Sequence, residues 1–221
     1  MHKDKVGAYF RPSMRSNPFI VFEGIDGSGK STQIRLLEEY LTARGHRVWR
    51  TAEPSDGPAG KLIRQVFSGA YPADDRVVAG LFVADRLEHI LHAENGMQKA
   101  LNDGYTILCD RYYLSSYAYQ GVHMPLDWVI QANSLAASLL KPDLHIYLDL
   151  SPSKALERIR KGREDRELYE TMDNLSRVHA LYAQLIQDLA GSENILCFDA
   201  DQRPQNVHME ILQGLNKEWS F

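Results

Sequence analysis

Residues 24–31 read Gly-Ile-Asp-Gly-Ser-Gly-Lys-Ser and match the spacing G-x-x-x-x-G-K-[ST] at every position. Gly24, Gly27 and Gly29 free the backbone to take positive φ and to approach a ligand closely. Their N–H groups then converge on phosphate oxygens, and the helix that follows adds its positive end. Lys30 reaches the β- and γ-phosphates, and the Ser31 hydroxyl reaches Mg²⁺. The stretch Gly24, Gly27, Ser28, Gly29, Lys30, Ser31 and Thr32 is therefore a nucleoside triphosphate site. A phosphate loop alone does not say where the phosphate goes.

Three further clusters bear on that. Phe82 and Arg86 stand one helical turn apart, a ring and a guanidinium that suit a base and its phosphate; a core Phe beside a surface Arg is the alternative. The stretch CDRYYLSSYAYQG (109–121) places Asp110 at a strand end, where it would order a magnesium water shell. There Arg111 forks onto phosphate oxygens, and Ser115, Ser116, Tyr119 and Gln120 offer polar edges to a base. A solvated aromatic helix is the competing reading. The run ERIRKGREDRELYE (157–170) carries Arg158, Arg160, Lys161, Arg163 and Arg166 among its acids. It is either a solvated helix end or a cationic lid that closes over phosphates and excludes water. The N-K-x-D string of a guanine-reading switch is missing, its nearest approach being Asn216-Lys217-Glu218-Trp219.

Elements of alternating type must position these groups. Apolar, β-branched runs at 19–24, 46–51, 105–110, 144–150 and 194–198 read as strands buried on both faces. Helical patterns separate them, so the expected class is α/β: a parallel five-stranded sheet with helices on both faces. Ligands in such sheets lie beyond the carboxyl ends of the strands. The first 18 residues, broken by Pro12 and Pro18, read as an extension, and 19–221 as one domain.

With 221 residues, 44% of them hydrophobic, the chain supports one substantial core. A net charge of −4 disfavours nucleic acid as a partner. No apolar run approaches the ~20 residues of a membrane span, and no signal-peptide core is present, so the cytoplasm is expected. Cys109 and Cys197 both sit in apolar strand runs and read as buried, inert thiols.

In this order, FEGIDGSGKSTQ, EPSDGPAGKLIR, LFVADRLEHI, CDRYYLSSYAYQG, KPDLHIYLDL and the arginine cluster resemble the thymidylate kinase family, which phosphorylates dTMP with ATP. The resemblance spans roughly residues 19–215 and implies a three-layer P-loop nucleotide kinase fold, with a lid at about 158–170. It implies that Asp26 bonds the acceptor's 3′-hydroxyl, Phe82 stacks on thymine and Arg86 meets the carbonyl edge. Arg111 would hold the acceptor phosphate, Ser116 and Gln120 would read the base, and Tyr119 would pack by the sugar. Tyr169 and Glu170 match the family's Tyr-Glu after the lid, and Arg158 resembles the arginine that stacks on adenine. The loop carries no basic residue before Lys30, so the chain looks like the type whose transition-state arginine, Arg163 or Arg166, comes from the lid. The family also suggests a homodimer, with 79–91 as a plausible face, and Mg²⁺ accompanying ATP.

One departure stands out. The family usually has an arginine just before Glu-Pro, or just after it, gripping the acceptor phosphate. Here Ala52 precedes Glu53-Pro54 and Asp56 follows; the nearest arginines are Arg50 and Arg64. That contact is missing or relocated. A deoxynucleoside kinase with Glu53 as base, another acceptor such as dUMP, and a non-catalytic nucleotide sensor stay open as alternatives.

Overall fold

A computed structural model describes residues 16–162 and 170–219. Five strands form one sheet: β1 (Phe19–Glu23), β2 (Val48–Ala52), β3 (Thr106–Asp110), β4 (Leu144–Asp149) and β5 (Ile195–Asp199). The spatial order is β2-β3-β1-β4-β5 and every pairing is parallel. β1 lies at the centre and every residue of it is buried, as its unbroken apolar run Phe19–Phe22 requires.

Helices fill the crossovers, α1 (Lys30–Thr42), α2 (Pro58–Phe67), α3 (Asp75–Leu91), α4 (Met97–Asn102), α5 (Tyr113–Gly121), α6 (Leu126–Leu139), α7 (Pro152–Gly162) and α8 (Met172–Asp188), and α9 (Pro204–Glu218) follows the last strand. α1 packs on β1, β2 and β3 and meets α9, which covers β5. α3, α4, α5, α6 and α8 form a second connected layer. α4 has only six residues, too few for its periodicity to be read in advance. Asn17 already ties the chain to the carbonyls of Leu101 and Tyr105, and the Ile107 N–H donates to the Pro18 carbonyl.

From β1 the chain runs to β2 on one side, returns to β3, then crosses to β4 on the other side. The crevice opens where the connections from β1 and β3 diverge. Register sets Phe22 beside Asp110 and Ala52 beside Asp110, so the ends of three strands present Glu23, Ala52 and Asp110 at one rim.

The structure corrects one expectation about the cysteines. Cys109 is buried, but Cys197 is exposed. It lies on edge strand β5, where Leu196 and Phe198 on the alternate face pack against Gly214 of α9. Alternation turns Cys197 to the face that α9 does not cover.

Candidate active site

The loop between β1 and α1 folds as its glycines demand. Gly24 has φ 136° and Gly27 has φ 78°. A Cβ at Gly24 would stand 2.7 Å from the Leu148 carbonyl oxygen, and one at Gly27 would stand 2.6 Å from that of Ala155, so no side chain fits at either. Gly29 is the N-cap of α1. Lys30 folds back and donates to the carbonyls of Gly24 (3.2 Å) and Ile25 (3.3 Å). Burial, with the neighbouring Arg111 charge, lowers its pKa. Ser31 Oγ donates to Asp110 Oδ2 at 3.0 Å, while Asp110 Oδ1 is buried without a hydrogen-bond partner, 3.9 Å from Lys30 Nζ. An open cavity of about 390 Å³ lies over Gly27, Gly29, Lys30, Ser31, Thr32 and Asp110.

A second cavity of about 380 Å³ adjoins it. Asp26, Glu53, Pro54 and Arg111 line both and form the wall between them. Arg111 is a non-glycine residue with φ 71°. Its guanidinium donates to Asp26 Oδ1 (2.6 Å), the Tyr119 hydroxyl (3.1 Å), the Gly24 carbonyl (3.1 Å) and Ser115 Oγ (3.0 Å). The Tyr119 hydroxyl donates to Asp26 Oδ2 at 2.8 Å. Burial alone would raise the Asp26 carboxyl, but the charges of Arg111 and Lys30 and the Tyr119 hydrogen bond outweigh it and hold it at about 2. Burial opposes the Arg111 charge, yet Asp26 keeps that group's pKa well above its ordinary value.

The far end of the second cavity carries Phe82, Arg86, Ser116 and Gln120. Arg86 is not the surface residue of the alternative reading: only 1% of it is exposed. Glu53 Oε2 accepts from its Nε at 2.8 Å and lies 2.6 Å from Nη2; Ser116 Oγ accepts at 3.0 Å, and Asn133 Oδ1 accepts from Nη1. Glu53 Oε1 faces His89 Nδ1 at 3.3 Å. Phe82 belongs both to the cavity wall and to a small apolar cluster with Ile63, Val66 and Val78; its ring centroid lies 6.1 Å from that of Phe67. Gln120 Oε1 is buried and without a hydrogen-bond partner, an amide with open capacity beside the cavity. The solvated reading of 113–120 fails, because every residue in that stretch is buried.

Ser115 lines the second cavity as well, but its hydroxyl is already engaged: it donates to Glu23 Oε2 at 2.6 Å and accepts from Arg111. Arg158 donates to the Ala200 carbonyl at 2.8 Å, on the turn after β5. It lines neither cavity, although Ala155 and Ile159 of the same helix pack against Gly27. Arg163, Arg166 and Tyr169 lie outside the described residues. Glu170, the next residue, is buried and lines the second cavity.

Near the Ala52 departure, α2 brings an arginine to the cavity. Arg64 reaches back to the carbonyls of Pro54 (2.8 Å) and Ser55 (2.7 Å) and lines the second cavity. Arg50 points to the α1 side, 3.4 Å from Glu38. Sequence reasoning also passed over Glu23, Asn133 and Tyr182. Glu23 carried a signal, a lone acid ending an apolar strand; Asn133 and Tyr182 carried none.

Among the described residues, no three His, Cys, Asp or Glu side chains converge as a metal cage. Ser31 with the orphaned Asp110 oxygen does suit Mg²⁺, which keeps most of its waters and binds through one or two protein groups plus substrate phosphates. No helix among the described residues is long and apolar enough to cross a membrane.

The family model for thymidylate kinase matches residues 22–211. A thymidylate kinase of Caldicellulosiruptor saccharolyticus is 44% identical over 165 residues, covering 73% of this chain and 79% of its own. A probable thymidylate kinase of Pyrobaculum aerophilum is 40% identical over 204 residues, covering 92% and 98%. A thymidylate kinase of Desulfotalea psychrophila is 35% identical over 206 residues, covering 91% and 98%. A match from the end of the central strand into the last helix, with full-length relatives at this identity, leaves one conclusion: the chain belongs to the thymidylate kinase family.

Proposed function

We propose that this protein transfers the γ-phosphoryl group of ATP to dTMP, giving dTDP and ADP for nucleotide biosynthesis, through the residues described above. The observation that carries the reading is the shared wall: Arg111 and Asp26 stand between a cavity shaped for phosphates and a second one lined by a ring and polar edges. Two ligands entering these cavities meet end to end, which is what in-line transfer between two anions needs.

Lys30 and the amides of Gly27 to Thr32 hold the triphosphate, and Arg158 lies against adenine. Arg111 and Arg64 hold the acceptor phosphate, so Arg64 takes over the contact that Ala52 cannot make. Asp26 accepts from the sugar 3′-hydroxyl, Tyr119 packs by the sugar, Phe82 stacks on the base, Arg86, Ser116 and Gln120 read its edge, and Tyr169 contributes to dTMP binding. An acceptor phosphate oxygen forms the new bond to the γ-phosphorus as the bond to the β-phosphate's bridging oxygen breaks, and ADP leaves. That acceptor oxygen is already anionic, so no general base is required. Arg163 or Arg166 neutralises charge on the moving group. Ser31 and Asp110 would hold Mg²⁺, which supplies charge neutralisation at the β- and γ-phosphate oxygens.

The working unit is a homodimer. α3 packs against α6, and the two helices expose Val77, Leu91, Trp128, Leu135 and Leu139. Gly80, with open space above it, lets a partner helix approach closely. Unbridged thiols at Cys109 and Cys197 suit the cytoplasm.

The deoxynucleoside kinase alternative needs Glu53 as a free base. That carboxylate is instead buried, bonded by Arg86 and faced by His89. An ADP-release assay with Mg²⁺ and ATP, offering dTMP, dUMP, dCMP and thymidine, tests the reading. Turnover with dTMP and none with thymidine is expected. Turnover with thymidine alone, or ATP binding without acceptor-dependent turnover, would sink it.

A further inference from the structure

Glu23 ends β1 with no solvent exposure. A buried carboxylate is tolerated only when compensated. Its Oε1 accepts from the Tyr112 N–H at 3.1 Å, and its Oε2 accepts from the hydroxyls of Ser115 (2.6 Å) and Tyr182 (2.8 Å). Ser115 Oγ in turn accepts from Arg111 Nη1 at 3.0 Å. Arg111 holds φ 71°, a conformation that persists for a long side chain only where its surroundings over-determine it. Glu23 thus grips the peptide after Arg111 with one oxygen and, through Ser115, its guanidinium with the other.

Tyr182 comes from α8, far along the chain from both. Its ring packs edge-on to Tyr119 (centroids 6.5 Å apart) and tilted on Tyr147 (5.1 Å), so its hydroxyl is fixed in place. Burial and then Glu23 push that hydroxyl well above the usual phenol range, so it stays a donor. The hydroxyls of Ser115 and Tyr182 together cap Glu23 Oε2. Remove one, and an under-compensated carboxylate sits one side chain away from a guanidinium. Arg111 Nη1 would then turn from Ser115 to Glu23 directly, and an ion pair would compete with the ligand phosphate.

We infer that Tyr182 is a positioning residue: by capping Glu23 together with Ser115, it keeps the Arg111 guanidinium available to the acceptor phosphate. The inference rests on the assignment of the acceptor phosphate to Arg111 made above.

Tyr182→Phe in the full chain keeps the ring and removes only the hydroxyl. Calorimetric titration should show dTMP binding about tenfold weaker, with affinity for a non-hydrolysable ATP analogue changed less than about twofold. In an Arg111→Ala background, adding Tyr182→Phe should weaken dTMP binding no further, because the two act as a unit. Unchanged dTMP affinity, equal losses for both nucleotides, or additive losses in the double variant would each overturn the inference. Arg111→Ala separates the two assignments. If it weakens dTMP binding while Tyr182→Phe does not, only the role of Tyr182 fails. If Arg111→Ala leaves dTMP affinity intact, the assignment of Arg111 fails and the inference with it.

Discussion

Arg111 and Asp26 meet at 2.6 Å within the wall between the two cavities, 85 residues apart in the chain. The pair couples the phosphate loop to the end of β3, so the loop's one acidic residue is held ionised by the arginine that serves the second cavity. Asp26 is held at about 2, against an ordinary 3.8. A lowered carboxyl contributes stability that is fully present above the unfolded value and is lost as pH falls through the folded one. The difference in unfolding free energy between wild type and Asp26→Asn should therefore be constant above about pH 5 and shrink between 3.8 and about 2. Urea melts across that range measure it; a gap that stays constant to the acid end would remove the ion pair from the account.

Arg86 and Glu53 are each only 1% exposed at the side chain. Removing one partner strands the other's charge. Arg86→Met should destabilise the fold by about 3–5 kcal/mol, and adding Glu53→Gln should recover a large part of that. Denaturant titration of the two variants decides it, and equal stability of single and double variants would mean that the stranded Glu53 charge carries no penalty.

The proposed function gives Arg64 the acceptor-phosphate contact that Ala52 cannot make. Arg64→Ala should raise the dTMP KM about tenfold, the worth of a charge-assisted hydrogen bond, and leave the ATP KM unaltered. Steady-state kinetics with each substrate varied in turn provides the check. A change confined to the ATP KM would put Arg64 at the donor.

The cationic segment offers a kinetic test. Of Arg163→Ala and Arg166→Ala, the one that removes the transition-state arginine should lower kcat by about 10³-fold or more, with little change in dTMP affinity. Single-turnover measurements on both variants address this, and losses below about tenfold in each would end the lid assignment.

Read alone, the sequence determined what depends on neighbours in the chain. The glycine spacing of 24–31 dictates a loop that no side chain at Gly24 or Gly27 could enter, and the alternation of apolar runs with amphipathic ones dictates a parallel sheet. Lys30 and Ser31 were legible because their positions follow from that loop. Tertiary structure decided which arginines meet which acids. The identical guanidinium is buried at Arg86, turned to α1 at Arg50, and folded back to the strand end at Arg64. Ser115 and Ser116 are adjacent, yet one turns to Glu23 and the other to Arg86. Such choices depend on sheet register and helix rotation, which bring residues 80 to 160 positions apart within hydrogen-bonding distance; a hydrogen bond of under 3 Å leaves no trace in local sequence pattern.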